Sequence, residues 1–355
     1  MPRTVTIQDI AKAMGLSRNT VSKAINSTGI ISDSTREAIL KKAAEMGYKL
    51  FALSSSTQEK NSKDSKELVL LTGAALNGSH FSARMLDEMQ MEASRLGYGF
   101  TMYRVMPQER EKRRLPANFD ANRTAGVFCV EMFDIEYSQM LCSLGLPILF
   151  IDQAVSLGEK PIQADVLLME NRNGIYSFIK EMSLRGKTKI GFAGEILHCM
   201  SFYERFDAFR GALNLFGLPY REEWLFSGKS RGFDYPSHEE YTNFLEEKIK
   251  NCSEIPEVIV CANDFVALDT VQTLRKLGLN VPADVIVCGF DDSPESRIVS
   301  PSLTTIQIQA QAMGKEAISI LFSRINEPKK PFRTEYVESS LIYRESSGDK
   351  NGKEI

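Results

Sequence analysis

The chain has few of the side chains from which most catalytic and metal sites are built. Its 355 residues include three histidines and six cysteines, and no two cysteines have Cys-x-x-Cys spacing. Few histidines leave little capacity for general-base chemistry, and this cysteine spacing lacks the common metal and redox pairs. We therefore predict a protein without metal or cofactor, whose cysteines are reduced core residues.

Long hydrophobic runs are also missing. No apolar run approaches the roughly 20 residues that a membrane-spanning helix needs, and the first residues, MPRTVTIQDIAK, lack the apolar stretch of a signal peptide. With 43% hydrophobic and 25% charged residues, the composition is that of a globular protein. We expect a cytoplasmic protein of two or three domains with no membrane partner.

Charge is distributed unevenly along the chain. Residues 1–60 hold nine Lys and Arg against five Asp and Glu, whereas the remaining residues hold 34 against 41. A small basic end on a larger acidic body suggests a polyanionic partner for that end only.

The first fifty residues predict three short helices. Thr6 offers a hydroxyl cap to the first helix, which Gly15 ends, and Ser17 can cap the second. The third begins around residues 32–34. Thr6 is also a candidate for a DNA contact, because hydroxyl groups suit phosphates.

The spacing of small and apolar residues in the first two helices is that of a helix-turn-helix. Counting Ile7 as position one, Ala11 is fifth, Gly15 ninth and Val21 fifteenth, although any small helical bundle can produce this bare pattern. The exposed face of the second helix carries groups that can contact bases and phosphates: Ser17, Arg18, Asn19, Thr20, Ser22 and Lys23. Arginine can fork onto guanine and asparagine onto adenine in the major groove.

Residues 54–66 hold no aliphatic or aromatic side chain and predict a solvated linker. The pattern of hydrophobic residues changes after this linker. Short apolar runs then alternate with amphipathic stretches. Strands are predicted at 68–72, 99–103, 126–130, 147–152, 189–194, 258–264 and 285–292. This alternation indicates α/β architecture with parallel sheets in two similar lobes.

Several segments closely resemble the lactose-repressor (LacI/GalR) family of transcriptional regulators. TIQDIAKAMGLSRNTVSKAIN and ISDSTREAILKKAAEMGY are similar to that family's headpiece, and SPSLTTIQIQAQAMGKEAISILF to its regulatory domain. The resemblance implies a DNA-binding headpiece on a two-lobed, periplasmic-binding-protein-like domain that dimerises and binds a small effector. We place the headpiece at 1–53, the linker at 54–66, the two-lobed domain at 67–345 and a C-terminal tail at 346–355.

Four residues of the body match positions where the family grips its ligand: Phe81, Asp152, Arg205 and Asp264. The last three fall just beyond predicted strands, where open parallel sheets form their binding crevice. Carboxylates and a guanidinium suit the adjacent hydroxyls of a sugar. The alternative at each aspartate is a cap on the following helix, and Phe81 can simply pack.

The expected function is a sequence-specific repressor whose operator affinity is controlled by a small effector, with a carbohydrate favoured. The resemblance also implies a homodimer on a near-palindromic operator. A stand-alone sugar-binding or sugar-processing protein of the same fold is the alternative. Gly228–Gly232 fits the G-x-S-x-G of hydrolases, but no helix follows it and its only later histidine is eight residues away at His238. We therefore predict that the protein is not an enzyme.

The segment after Gly47-Tyr48 departs from the family. The usual hinge helix would end in a leucine that wedges into the minor groove, yet that position falls on Thr57, and three serines precede it. Serine competes for backbone hydrogen bonds and propagates helix poorly. We expect a weakly helical hinge with little DNA kinking, in which Leu53 is the aliphatic residue able to substitute as the wedge.

Overall fold

The computed structural model describes residues 5–25, 31–46, 66–73, 80–158, 160–233 and 235–348. The chain divides into two compact units, residues 1–65 and 66–355, which we call the headpiece and the body. Leu53 and Thr57, the residues of the predicted hinge, lie outside the described residues. No helix in the described part of the chain is long and apolar enough to span a membrane.

The headpiece contains the three helices that the sequence predicts: α1 Ile7–Met14, α2 Arg18–Ile25 and α3 Asp33–Glu45. Thr6 and Asp9 form a capping box at the start of α1, and Gly15 ends that helix in the left-handed conformation with φ of 64°. The three helices bury one small core: Ile10, Ala11, Val21, Ala24, Ile39 and Ala43. The helix-turn-helix spacing therefore corresponds to a packed unit.

The body alternates strands and helices. Its strands are β1 Glu67–Thr72, β2 Gly99–Arg104, β3 Thr124–Val130, β4 Ile148–Ile151, β5 Asp165–Met169, β6 Ile190–Ala193, β7 Leu225–Phe226, β8 Val258–Cys261, β9 Ile286–Asp291, β10 Thr304–Ile308, β11 Thr334–Val337 and β12 Ser339–Ile342. Its α-helices are α4 His80–Arg95, α5 Pro107–Glu111, α6 Ile135–Cys142, α7 Asn173–Leu184, α8 Met200–Leu215, α9 His238–Lys250, α10 Asp264–Lys276, α11 Pro294–Ile298 and α12 Ala310–Asn326.

These elements form two lobes, each on a six-stranded sheet. The N-terminal lobe has the strand order β11-β5-β4-β3-β1-β2, and the C-terminal lobe has β12-β10-β9-β8-β6-β7. Neighbouring strands are parallel except at the pair formed by β10 and β12. The predicted two-lobed α/β architecture with parallel sheets is confirmed.

Helices cover both faces of each sheet, so the strands are apolar on both sides. In β1, for example, Leu68 and Leu70 pack with α4 and α12, whereas Val69 and Leu71 pack with α6 on the opposite face. In the C-terminal lobe, α7 and α8 cover one face and α9 and α10 the other.

The chain passes between the lobes three times, after β5, β10 and β11. Two of these crossovers lie side by side. Glu170 N–H donates to the Val337 carbonyl at 2.7 Å, and Ser339 Oγ donates to the Glu170 carbonyl at 2.8 Å. The lobes are thus joined by a short hydrogen-bonded connection.

The C-terminal boundary lies later than the sequence suggests. Residues 345–347 form a 3-10 turn in which Ser346 Oγ donates to the Val287 carbonyl at 2.6 Å and accepts from Thr304 N–H at 2.8 Å. Ser346 and Ser347 are buried. The predicted tail at 346–355 therefore begins too early, because hydroxyl contacts with the sheet leave no hydrophobic signal in the sequence.

Candidate functional site

Helix α2 presents its base-reading candidates at the headpiece surface. Arg18, Asn19 and Lys23 are exposed, while Val21 on the inner face is fully buried. The side chains available on the outer face are therefore a guanidinium, an amide and an ammonium group, all of which can donate to groups on DNA.

The hydroxyl candidates have a structural task as well. Ser17 Oγ accepts from Thr20 N–H at 3.1 Å and lies 2.8 Å from Thr20 Oγ1, so it caps α2 as predicted. Thr6 Oγ1 donates to Asp9 Oδ2 at 2.7 Å within the capping box of α1. Ser22 is half-buried. Thr6 and Ser17 lie at helix starts, where backbone N–H groups also favour phosphate.

In the body, the carboxyl ends of the strands of both lobes meet at one crevice. Strand order reverses beside β1 in one sheet and beside β6 in the other, and ligands bind at such switch points. Two hydrogen bonds cross the crevice from the start of α8. Met200 N–H donates to the Gln153 carbonyl at 2.8 Å, and Ser201 N–H donates to Asp152 Oδ1 at 3.3 Å.

Asp152 lies at the end of β4 on the floor of this crevice. Its backbone is left-handed with φ of 59°, an uncommon conformation for a residue with a side chain. Oδ1 also accepts from the Gln153 N–H at 2.7 Å. Burial raises the pKa of Asp152, while hydrogen bonds from Cys199, the Gln153 amide and Ser201, together with the Arg205 charge, oppose that shift.

Arg205 on α8 is held firmly from three sides. Nε donates to Asn171 Oδ1 at 2.9 Å, Nη1 donates to the Ala262 carbonyl at 2.6 Å, and the guanidinium lies 3.5 Å from the centre of the Phe290 ring. Among the described residues, none accepts a hydrogen bond from Nη2. One edge of the guanidinium therefore remains for a ligand.

Asp291 is a crevice residue that the sequence argument missed. It ends β9 with φ of 110°, and its Oδ1 lies 3.6 Å from Arg205 Nη1. Its side chain is 24% exposed, whereas that of Arg205 is 3% exposed. The signal was available, because Asp291 is the first of the two aspartates that end the run VIVCGFDD, and Asp152 ends PILFID in the same way.

The crevice holds excess negative charge. Burial raises the pKa of Asp291 to about 7, although Arg205 opposes the rise. Burial, followed by the Asp152 charge, likewise raises the pKa of Glu131 to about 7. Glu131 follows β3 and also has a left-handed backbone, with φ of 51°. Asp152 and Asp291 thus interact with the Arg205 charge, and Glu131 lies near both carboxyl groups.

Asp264 has a different environment from the one expected. It is 0% exposed, and its carboxylate accepts from Ser293 N–H at 2.7 Å and from Thr305 Oγ1 at 2.6 Å. Burial raises its pKa to about 6, and these hydrogen bonds oppose the shift. Asn263, not Asp264, caps α10. Asp264 therefore joins β8, β10 and α11 inside the C-terminal lobe, because its carboxylate oxygens accept hydrogen bonds from both of these neighbours.

Phe81 belongs to α4, and its side chain is outside what the structure describes. Another aromatic residue reaches across the crevice instead. Phe233, from the C-terminal lobe, lies beneath Arg110 with the guanidinium 3.9 Å from the ring centre. A Cβ on Gly73 of the N-terminal lobe would overlap the Phe233 ring, so glycine is required at that contact.

Comparison with known proteins gives the family. The profile of the bacterial regulatory proteins of the lacI family matches residues 6–49, and the profile of the periplasmic binding protein-like domain matches residues 179–347. In these two segments the chain is similar to the LacI family. The match to the lacI profile supports the predicted DNA-binding transcriptional regulator.

Relatives with similar sequences are repressors by name. The HTH-type transcriptional repressor PurR of Mannheimia succiniciproducens is 26% identical over 343 residues, which cover 96% of this chain and 98% of that protein. PurR of Pasteurella multocida shows the same identity and coverage. The predicted regulator is confirmed at the level of family, and the stand-alone sugar-binding alternative is not supported.

Two solved structures share the fold over nearly the whole chain. A complex of the transcriptional regulator CelR with cellobiose has a TM-score of 0.67 at 23% identity and covers 96% of this chain and 99% of that one. The lac repressor dimer bound to operator and the anti-inducer ONPF has a TM-score of 0.66 at 21% identity, with coverage of 97% and 99%.

Proposed function

We propose that this LacI-family regulator is a homodimeric repressor that reads a near-palindromic operator through α2. Its operator affinity is set by a sugar or sugar derivative bound between the lobes of the body. The relatives named as repressors, the CelR complex with cellobiose and the operator-bound lac repressor dimer support this assignment.

The observation that carries the proposed ligand class is the meeting of Asp152, Arg205 and Asp291 at the crevice. Each comes from a different secondary structure element, and each offers directed hydrogen bonds. A hydroxyl group can donate to a carboxylate and accept from a guanidinium, so adjacent hydroxyls on one molecule match this set. A ligand that touches both lobes favours the closed arrangement, and this coupling links effector binding to DNA binding.

Calorimetry with a panel of mono- and disaccharides tests the effector site. Asp291→Asn should weaken the sugar that binds wild-type protein by about tenfold or more, since hydrogen bonds to charged groups contribute about 1.5–3 kcal/mol. Asp207→Asn, an exposed position on α8, is the matched control and should bind as wild type. A panel without any ligand would contradict the sugar assignment and leave the DNA-binding assignment intact.

Operator selection followed by gel shifts tests the reading helix. Arg18→Ala or Asn19→Ala should cost about 1–3 kcal/mol and relax preference at one base pair in each half-site. Lys23 can contact guanine but lacks the bidentate fork, so its replacement should relax preference less. Lys41→Ala, an exposed change on α3, should leave base preference unaltered. Unchanged selectivity in both Arg18→Ala and Asn19→Ala would exclude α2 as the reader.

A further inference from the structure

A cavity of about 390 Å³ lies where the two lobes meet beside the proposed effector site. Its volume is within the range of roughly 300–1,000 Å³ that is usual for small-molecule sites. The N-terminal lobe contributes Arg110, the start of α6 and residues 154–157, and the C-terminal lobe contributes Leu197 and residues 231–233. Because Ala154 follows Asp152 by two residues, the cavity adjoins the crevice.

The lining carries more positive than negative charge. The charged residues that line the cavity are two arginines, Arg110 and Arg231, and one aspartate, Asp134. Asp134 Oδ1 accepts from Tyr137 N–H at 2.9 Å as the cap of α6. Its Oδ2 lies 3.8 Å from Arg110 Nε, which is longer than a hydrogen bond. Formally the cavity therefore has a net charge of about +1.

Both guanidinium groups retain donors. The Arg110 side chain is 18% exposed, and its planar group is supported from below by the Phe233 ring. Within the described ranges, no side chain or carbonyl accepts a hydrogen bond from either guanidinium. Arg231 also has no carboxylate within ion-pair distance among those residues. The partly buried Arg110 guanidinium needs acceptors from a ligand or water, and the exposed Arg231 keeps its donors free for a ligand in the cavity.

The loop that presents Arg231 is fixed by its own hydrogen bonds. The buried Glu195 carboxylate accepts from Gly228 N–H at 2.9 Å and from Ser230 N–H at 3.2 Å. On the other side of Arg231, Gly232 N–H donates to the Leu197 carbonyl at 3.2 Å. The Gly228–Gly232 motif, which resembles that of a hydrolase, thus forms a rigid loop aimed at the cavity.

We propose that this cavity binds the phosphoryl group of a phosphorylated effector between Arg110 and Arg231. Guanidinium groups bind phosphate through paired, charge-assisted hydrogen bonds, and a dianion matches a site of net positive charge. The two arginines belong to different lobes, so a bridging phosphoryl group holds the lobes together. This inference rests on the proposed function and narrows its ligand to a sugar phosphate or a related phosphate ester.

Calorimetry and thermal unfolding of the full-length protein with inorganic phosphate test the subsite without knowledge of the effector. At equal ionic strength and pH 7.5, phosphate should raise the midpoint of unfolding above that in chloride, because it binds the folded state. Arg231→Gln should weaken phosphate at least tenfold and should fold normally, since Arg231 is exposed. Arg95→Gln, at an exposed arginine on α4, is the matched control and should bind phosphate as wild type.

Four outcomes would overturn the proposal. The first is equal stability in phosphate and chloride, and the second is unchanged phosphate affinity in both Arg231→Gln and Arg110→Gln. The third is loss of phosphate binding in Arg18→Ala, which would place the anion on the headpiece. Acetate is used as a second probe anion for the fourth outcome. If acetate binds as tightly as phosphate, the cavity is a carboxylate subsite and not a phosphoryl subsite. Failure here leaves the sugar titration and the operator tests unaffected.

Discussion

Left-handed backbone at acidic residues is the most unusual feature of the crevice at the scale of single residues. Glu131, Asp152, Asp291 and Asp292 all have φ between 51° and 110°. Such conformations cost free energy in residues with side chains and persist where surrounding contacts hold them, often at binding sites. Asp292 has a structural role, because it pairs with Arg344 and Arg297. The other three turn their carboxyl groups toward the region between the lobes.

The raised pKa of Asp291 predicts a pH effect on stability. Its folded pKa of about 7 exceeds its ordinary value of 3.8, so between these values the folded state holds a proton that the unfolded state has lost. The contribution of Asp291 to stability therefore falls as pH rises from about 4 to about 7. Asp291→Asn should remove that fall. Chemical unfolding at pH 4 and at pH 7.5 measures it: the free energy of unfolding of the variant, relative to that of wild type, should be higher at pH 7.5 than at pH 4. An identical pH dependence in both proteins would exclude Asp291 as the titrating group.

Asp264 should behave as a structural residue. Asp264→Ala leaves the Ser293 N–H and the Thr305 hydroxyl without their acceptor, and each buried unsatisfied group costs about 1–3 kcal/mol. The free energy of unfolding should fall accordingly in urea titrations. Effector affinity, measured on folded protein, should change less than in Asp291→Asn. The opposite order of affinities would restore Asp264 as a ligand residue.

Asp264 and Asp291 show how much of the crevice could be predicted from the sequence. A strand-end position predicted that Asp152 and Asp264 are near the crevice and did not include Asp291, and side-chain direction depends on local φ and ψ. Asp264 is the first residue of a helix and points back beneath Ser293 and Thr305, contacts that are 29 and 41 residues away in sequence. Such non-local partners leave no periodic signal.

At the scale of elements, hydrophobic runs predicted six strands that are buried on both faces and the partly exposed β2, but they missed the buried β5 and β10. Strands β11 and β12 escaped prediction because their residues are mostly half-exposed. Their places depend on distant partners. Strand β11 pairs with β5 in the N-terminal lobe although it follows β10 of the other lobe. The crossovers that join the lobes were therefore visible only in the structure.

A buried ion pair stabilises the position of β11 beside β5. Arg324 on α12 donates from Nε and Nη2 to both oxygens of Asp165 at 2.8 and 2.9 Å, and Nη2 also donates to the Pro331 carbonyl at 3.0 Å. Asp165 Oδ1 in turn accepts from Arg333 N–H at 3.1 Å, just before β11. The pair thus ties α12 and the approach to β11 onto β5.

Removing one partner of this pair should be strongly destabilising. Asp165→Ala should cost about 3–5 kcal/mol, because it leaves a buried guanidinium uncompensated. Glu327→Ala breaks the exposed pair with Lys330 a few residues away and should cost less than about 1 kcal/mol. Urea unfolding of both variants measures the contrast. Equal small losses would mean that water or the loop carbonyls compensate Arg324 fully.

At the scale of the whole molecule, the headpiece accounts for the basic charge and the body for the acidic charge. A headpiece that reads a few base pairs gains specific affinity by acting in pairs, and each phosphate contact makes binding weaker as salt rises. The body provides surfaces on which pairing can occur. Ile298, at the end of α11, is 83% exposed, and Phe265, at the start of the neighbouring α10, is 39% exposed.

The last prediction concerns this pairing. A stable two-fold interface buries about 800 Å² on each partner around an apolar centre, and an exposed isoleucine and an exposed phenylalanine on two helices in contact suit such a centre. Ile298→Glu places two like charges close together across a two-fold contact and should shift wild-type dimers to monomers at micromolar concentration in light scattering. Leu215→Glu, at a 66% exposed leucine on α8, is the matched control and should remain dimeric. The monomeric variant should lose affinity for the full operator while binding single half-sites as weakly as wild type does. A dimeric Ile298→Glu with normal operator affinity would place the interface elsewhere on the body.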